Sequence, residues 1–469
     1  AASRATLAAG QAAAVTSVTR SCPPSSPGEG AAHVAMIAVP SQAASSSSAG
    51  TAKVAGGVTA GSATVSSVPA APAAPAAPAA TATAAPVTVD VPGAATTVAA
   101  PGGDGGGTSV SATGQMAQGF EAEQANSAGL GLVSCSHPSS DMWFVGSGEP
   151  DVWLYLTNSG TADASVDVTI LTDTGQQSAL VNAITVAPDQ VIAENVSPYL
   201  HGAQAIAMHV QTSSGQIAAS VWEGAGSGNG AWLPQSAAPS TTVVIPGLTV
   251  ASSSARLFVT VPGGTNAKLK VVAYTPAGPR VQFDSASVPV QASAAATTPV
   301  TLSSLGASAA GLVLTSNVPI VAGVLVPGAG IGSFTAGAAP VAGQGVVAGN
   351  PVTRGLTIGL LLTAPRGAAT ASVDVVASDG TVTSPAGLQD VTVAAGRTLA
   401  VTVPRPSGRD PFAIVLTPKA GSGPLYAARV VTSGTGGLTA EATSLLPVQS
   451  ALTKIMLPPV QNSYTAVLP

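Results

Sequence analysis

WLYLTNSG at Trp153–Gly160, LFVTVPG at Leu257–Gly263 and GLLLTAPR at Gly359–Arg366 are three copies of one pattern: a hydrophobic strand that runs into a turn. Their threonines, Thr157, Thr260 and Thr363, are separated by two steps of 103 residues. A second landmark keeps the same spacing. VQTSSGQIAASVWEG, VLTSNVPIVAGVLVPG and VLTPKAGSGPLYAARV set Thr212, Thr315 and Thr417 at steps of 103 and 102. A period near one hundred residues is too long for a solenoid repeat and matches one small domain. The chain is therefore expected to be an array of similar β-domains.

The unit between Thr242 and Gly328 is the cleanest. It offers seven candidate strands, among them TVVIPG, RLFVTVPG, KLKVVAYTP, AGLVLTSN and PIVAGVLVPG, many alternating apolar and polar residues. Seven short strands bounded by Pro, Gly, Asn and Ser suit an immunoglobulin-like sandwich. The expected fold is all-β, with about four tandem units over residues 1–125, 126–240, 241–340 and 341–469. A propeller built from the same strands would need a shorter repeat of roughly 40–50 residues.

The first unit is degenerate. VTSVTRSCP sets Thr19 at the first landmark, and Thr113 is the second. That interval is 94 residues, where Thr157 to Thr212 spans 55, a surplus of 39. The low-complexity stretch over residues 41–86, with SSSSAG and APAAPAAPAA, accounts for it. Such sequence cannot bury a core and predicts a loop: a tolerated insertion, or a wall-spanning or glycosylated stalk. At the other end ALTKIMLPPV resembles the opening strand of a further unit that never follows. It either caps the fourth unit's sheet or completes another unit, one option being the first, which would close the array.

Composition narrows the function. Charged residues make up 7% of the 469 and aromatics 3%, with 53 Gly and 38 Pro; an ordinary chain carries roughly 25% charged residues. Low charge disfavours intracellular life and suits an exported protein. Fifteen Lys and Arg with no basic run disfavour nucleic-acid binding. No apolar stretch approaches the ~18 residues of a transmembrane helix. The chain begins AASRATLAAG without a Met and looks trimmed of an export signal or anchor.

Two cysteines, Cys22 and Cys135, lie far apart and in no CxxC pattern. One disulfide in an oxidising compartment is the favoured reading, two separate buried thiols the alternative. Chemistry has little footing. His33, His137, His201 and His209 form no ligand spacing, no GxSxG elbow occurs, and PGAGIG at 327–332 is a turn without a helix behind it. Asp141, Glu149, Asp151, Asp163, Asp167 and Asp173 cluster early in the second unit. Solvated loops are the favoured reading there, an inter-domain calcium site the alternative. No catalytic residue, metal site or cofactor is assigned.

The sharper signal is aromatic. Trp143, Trp153, Trp222 and Trp232 all fall in the second unit, with Phe144, Tyr155 and Tyr199. They are either a larger core in which Trp143 and Trp232 staple the neighbouring units, or an exposed platform for a sugar or partner protein. The platform reading predicts that Trp143→Ala or Trp232→Ala abolishes binding without lowering the melting temperature.

CSHPSSDMWFVGSG, then VWLYLTNSGTADASVDVTI, then WEG…WLPQSAAPSTTVVIPGL resemble a secreted actinobacterial cell-envelope family known only as a domain of unknown function. The likeness runs from Cys22–Pro23 onwards, and the 41–86 stretch departs from it. It implies export, often behind an N-terminal membrane anchor, and an envelope context beside a large membrane glycosyltransferase. It implies no catalytic residues. The expected function is a non-catalytic extracytoplasmic scaffold. The alternative is a glycan-binding or accessory subunit of a membrane glycosyltransferase, with Trp143, Phe144, Trp153, Trp222 and Trp232 as the contact.

Overall fold

The computed structural model describes residues 11–26, 31–39, 60–71, 85–102, 105–126, 131–177, 184–225, 230–249, 255–284, 291–302, 305, 309–328, 332–408, 410–434, 437–439 and 442–457. These residues are almost entirely antiparallel β-structure. In chain order the sheets fall into four face-to-face pairs, each enclosing its own hydrophobic cluster.

The second pair shows the plan. Strand Asp141–Gly146 pairs with Ile206–Ser214, which pairs with Ala164–Thr172. In the facing sheet Gln190–Asn195 pairs with Asp151–Asn158, which pairs with Ala218–Gly224 and through it with Gly230–Leu233. From Asp141–Gly146 to Ala218–Gly224 the long strands alternate between the two sheets, so the meander of a propeller blade does not form. The two central pairings resemble those of an immunoglobulin sandwich: Asp151–Asn158 with Gln190–Asn195, and Ala164–Thr172 with Ile206–Ser214. The outer strands are exchanged: Asp141–Gly146 lies beside Ile206–Ser214, and Ala218–Gly224 beside Asp151–Asn158.

Sequence pattern explains which strand goes where. Ala164–Thr172, Ala267–Thr275 and Ala369–Val376 alternate buried and less buried residues, as strands with one face in the core should. The landmark strands Asp151–Asn158, Arg256–Val261 and Leu356–Ala364 end in unbroken buried runs. Their second face is covered by a neighbouring sandwich. In the third pair AGLVLTSN and PIVAGVLVPG, expected as separate strands, merge into one, Ala309–Val326, that serves both sheets.

Two expectations for the first unit are corrected. Thr19 lies in strand Ser17–Cys22, which pairs with Gly107–Thr113 as Asp141–Gly146 pairs with Ile206–Ser214. It therefore belongs to the first strand. The counterpart of the landmark strand is Ala32–Ala38, paired on both sides and buried along nearly its whole length. The expected loop also contains strand Ala63–Val68, with Ala63, Val65 and Val68 buried. ATVSSV alternates like any half-buried strand, but Ser-rich and Pro/Ala-rich flanks mask it. Residues 41–59 and 72–84 of that stretch lie outside the described residues.

Each sandwich packs on the next. Val68 and Val133 meet Tyr155, Val191, Trp222 and Trp232 between the first and second. Phe258, Val321, Leu325 and Phe334 of the third join the second's core, and Leu361, Val430 and Leu445 of the fourth join the third's. Ile37 and Ala95 of the first meet Val346, Ala348, Val376, Ala413 and Val415 of the fourth. The array is thus a closed ring. Strand Lys454–Leu457 pairs antiparallel with Gln11–Ala14, tying the two ends of the described chain together. The surplus C-terminal strand thus forms a two-stranded sheet with the first described strand.

The repeated threonines serve these joints. Buried Thr260 bonds Thr297 at 3.0 Å, and the Thr297 hydroxyl donates to the Leu171 carbonyl of the preceding sandwich at 2.8 Å. One period later Thr363 bonds Thr398 at 2.8 Å, its hydroxyl donates to the Pro246 carbonyl, and Gly311 N–H donates to Thr398 at 2.9 Å. Gly311 must lack a side chain, since a Cβ there would come within 2.3 Å of the Thr363 hydroxyl. In the second sandwich Val191 stands opposite Thr157, and backbone replaces the hydroxyl pair: Val191 N–H donates to the Pro69 carbonyl and Ala71 N–H to the Val191 carbonyl.

Candidate functional site: a cavity at the centre of the ring

The aromatic residues are not a surface platform. Trp143, Phe144, Trp222 and Trp232 are buried and Trp153 is half-buried. Trp143 stacks on His209, with ring centroids 3.8 Å apart. His209 Nε2 meets the Asp141 carboxylate at 3.0 Å; burial pulls the imidazole below its ordinary pKa against the pull of Asp141. Phe144 fills the second core. The Trp222 ring covers Gly224 and Gly230, whose backbones leave no room for a Cβ. Trp232 crosses the first joint, tilted against Tyr155, and its Nε1–H donates to Ser26 at 3.0 Å. Indole area that sequence could assign either to a sugar or to a neighbour is spent on the neighbour.

Cys22 and Cys135 form a disulfide that joins the first sandwich to the connection leading into the second. The acidic residues weighed for calcium are dispersed: Asp141 serves His209, Asp151 accepts from Trp153 Nε1–H at 2.8 Å, and Asp173 accepts from Gln204 N–H at 3.1 Å. Among the described residues no group of three or more His, Cys, Asp or Glu side chains could hold a metal.

Charges are few, and several are interior. Arg20 grips Glu121 in a fork, Nη2 to Oε1 at 2.9 Å and Nε to Oε2 at 3.3 Å. Glu123 of the first sandwich meets Arg429 of the fourth at 3.4 Å and accepts Gly349 N–H at 3.2 Å. Burial pushes both members of that second pair toward their neutral forms, and their mutual attraction opposes it. Glu223 is buried without a cation, holding Ser147 through N–H and hydroxyl and Gly148 through N–H; burial raises its pKa to about 7. Gly146 lies under this carboxyl, where a Cβ would come within 2.1 Å of Oε1.

The three connections between sandwiches and the last strands of the fourth converge on a cavity of about 280 Å³. Its wall takes Ser134–His137 from the first connection, Leu233–Ala237 from the second, Gly337–Ala339 from the third and Leu446–Ser450 from the last sandwich. The Arg20–Glu121 pair, Phe144 and Trp232 complete it. Desolvation, then Arg20, lowers the pKa of His137 from its ordinary value. Ser236 Oγ is buried on this wall with no hydrogen-bond partner. Sequence reasoning weighed Cys135, His137, Phe144 and Trp232 and passed over Ser136, Ser236 and Gly337. A signal existed: Ser136, Ser236 and Gly337 each stand two or three residues before a proline, at steps of 100 and 101.

Among the described residues no helix is long and apolar enough to cross a membrane. No curated protein and no solved structure matches the chain. A family model described as a family of unknown function, DUF5719, matches residues 87–404, from the third quarter of the first sandwich into the fourth. Its match begins later than Cys22–Pro23, where the sequence likeness begins, and covers the cavity's first three connections. The chain therefore belongs to this family of unknown function.

Proposed function

We propose that this protein is a non-catalytic extracytoplasmic scaffold of the cell envelope. The observation that supports the reading is the closed ring. Four sandwiches share continuous cores, one buried ion pair and one disulfide, and so present a stiff frame whose outer surface is available to partners. A disulfide far apart in sequence suits an oxidising compartment. Pull-down of the exported chain from envelope membranes, with a reduced and unfolded control, is expected to recover a defined membrane protein with the folded ring alone. Recovery of the same proteins by both forms refutes the reading.

A second reading, a glycan-binding subunit serving a membrane glycosyltransferase, is favoured by one observation: the central cavity, with its mixed apolar, amide and hydroxyl wall. The contact then lies inside the ring and not on surface tryptophans.

A further inference from the structure

We infer that the central cavity is a binding site for a neutral, hydroxyl-rich ligand, a single sugar ring or a short glycan end. This rests on the second reading above and gives it a place and a chemistry.

The charge balance sets the class. The Arg20 guanidinium is committed: Nε and Nη2 hold Glu121, Nη2 also donates to the Phe120 carbonyl at 3.1 Å, and Nη1 to the Thr19 carbonyl at 3.4 Å. No open fork is left for a phosphate or carboxylate, and Glu121 has no charge to spare for a cation. His137 adds a hydrogen-bonding ring.

Hydrogen bonding sets the functional groups. Ser236 is 5% exposed and its hydroxyl is without a partner, a state that costs free energy unless something fills it. Gln235 and Gln449 add amides that both donate and accept. Pro234, Leu446 and Leu452 add apolar wall, a complement to the C–H face of a sugar. The volume lies at the lower end of ordinary ligand pockets, which favours one or two rings over a long chain.

The test uses the intact chain and ligand-observed NMR or calorimetry. Probes are glucose, galactose, arabinose, maltose and cellobiose, with glucuronate and glucosamine as charged comparators. A neutral sugar is expected to bind. Ser236→Ala removes a hydroxyl that bonds to nothing in the protein, and is expected to weaken binding about 2- to 10-fold with an unchanged melt. Ala338→Trp fills the cavity from its third wall and is expected to abolish binding; if that variant unfolds, the exposed Ala339→Trp gives the same readout. Binding of a neutral sugar that neither filling variant affects overturns the site while leaving the glycan reading standing. Tighter binding of a charged comparator overturns the ligand class. Absence of binding by every neutral sugar overturns both the site and that reading.

Discussion

Glu223 should make the ring less stable as pH rises through neutrality. The carboxyl sits inside the second sandwich at 0% exposure, and its three hydrogen bonds do not offset the loss of water. Burial carries its pKa from 4.5 to about 7. A folded-state pKa above the unfolded one means that the folded chain holds the proton more tightly. Relative stability is then full below pH 4.5, declines as pH rises toward 7, and stays low above it. At 1.36 kcal/mol per pH unit the difference is about 3 kcal/mol. Denaturant midpoints from pH 4 to pH 8.5 for the native chain and Glu223→Gln provide the assay. The amide keeps the shape and cannot ionise, so any constant offset cancels in the slopes. The native chain should lose about 3 kcal/mol more than the variant across that window. Parallel profiles would falsify the claim that a buried, ionisable Glu223 is held above its ordinary pKa.

Three further outcomes test the joints. Trp232→Ala should cost about 3–5 kcal/mol, because it empties a buried indole from the first joint; an unchanged melting temperature would return the residue to the surface. Arg429→Met should cost about 3–5 kcal/mol by stranding Glu123, whereas adding Glu123→Leu should restore most of it in a double-mutant cycle; additive losses refute the pair. Thr297→Val should cost about 1–3 kcal/mol, since it strips the partner from Thr260 and the bond to Leu171, with denaturant midpoints as the readout; equal loss in a Thr260→Val background refutes the hydroxyl chain.

Much of the fold was legible because its physics is local. Alternation of apolar and polar residues marks a strand whose one face is buried, and ATASVDVV at Ala369–Val376 behaves as that pattern demands. The first sandwich was harder. VTSVTRSCP and HVAMIAVP are both strand-length segments that end in proline, and only the pairing of Ala32–Ala38 with two neighbours shows which is the landmark strand. The candidate site was the least legible part. Ser136, Ser236 and Gly337 are small residues beside prolines, the ordinary signature of a linker, and nothing local says that linkers about one hundred residues apart face one cavity.

The sequence by itself determined the all-β class and the period, since strand alternation and spacing are properties of the chain read in order. It also supplied the two cysteines that could pair. Tertiary structure alone decided that the array closes, because pairing Gln11–Ala14 with Lys454–Leu457 depends on the turn accumulated over every joint between them. It decided that the tryptophans are mortar and not a platform, because burial belongs to the neighbour as much as to the residue. It also gave the repeated threonine its meaning. In sequence it is the end of a strand; in the third and fourth sandwiches it is a buried hydroxyl that, paired with the threonine on the next strand, reaches across to the sandwich before it.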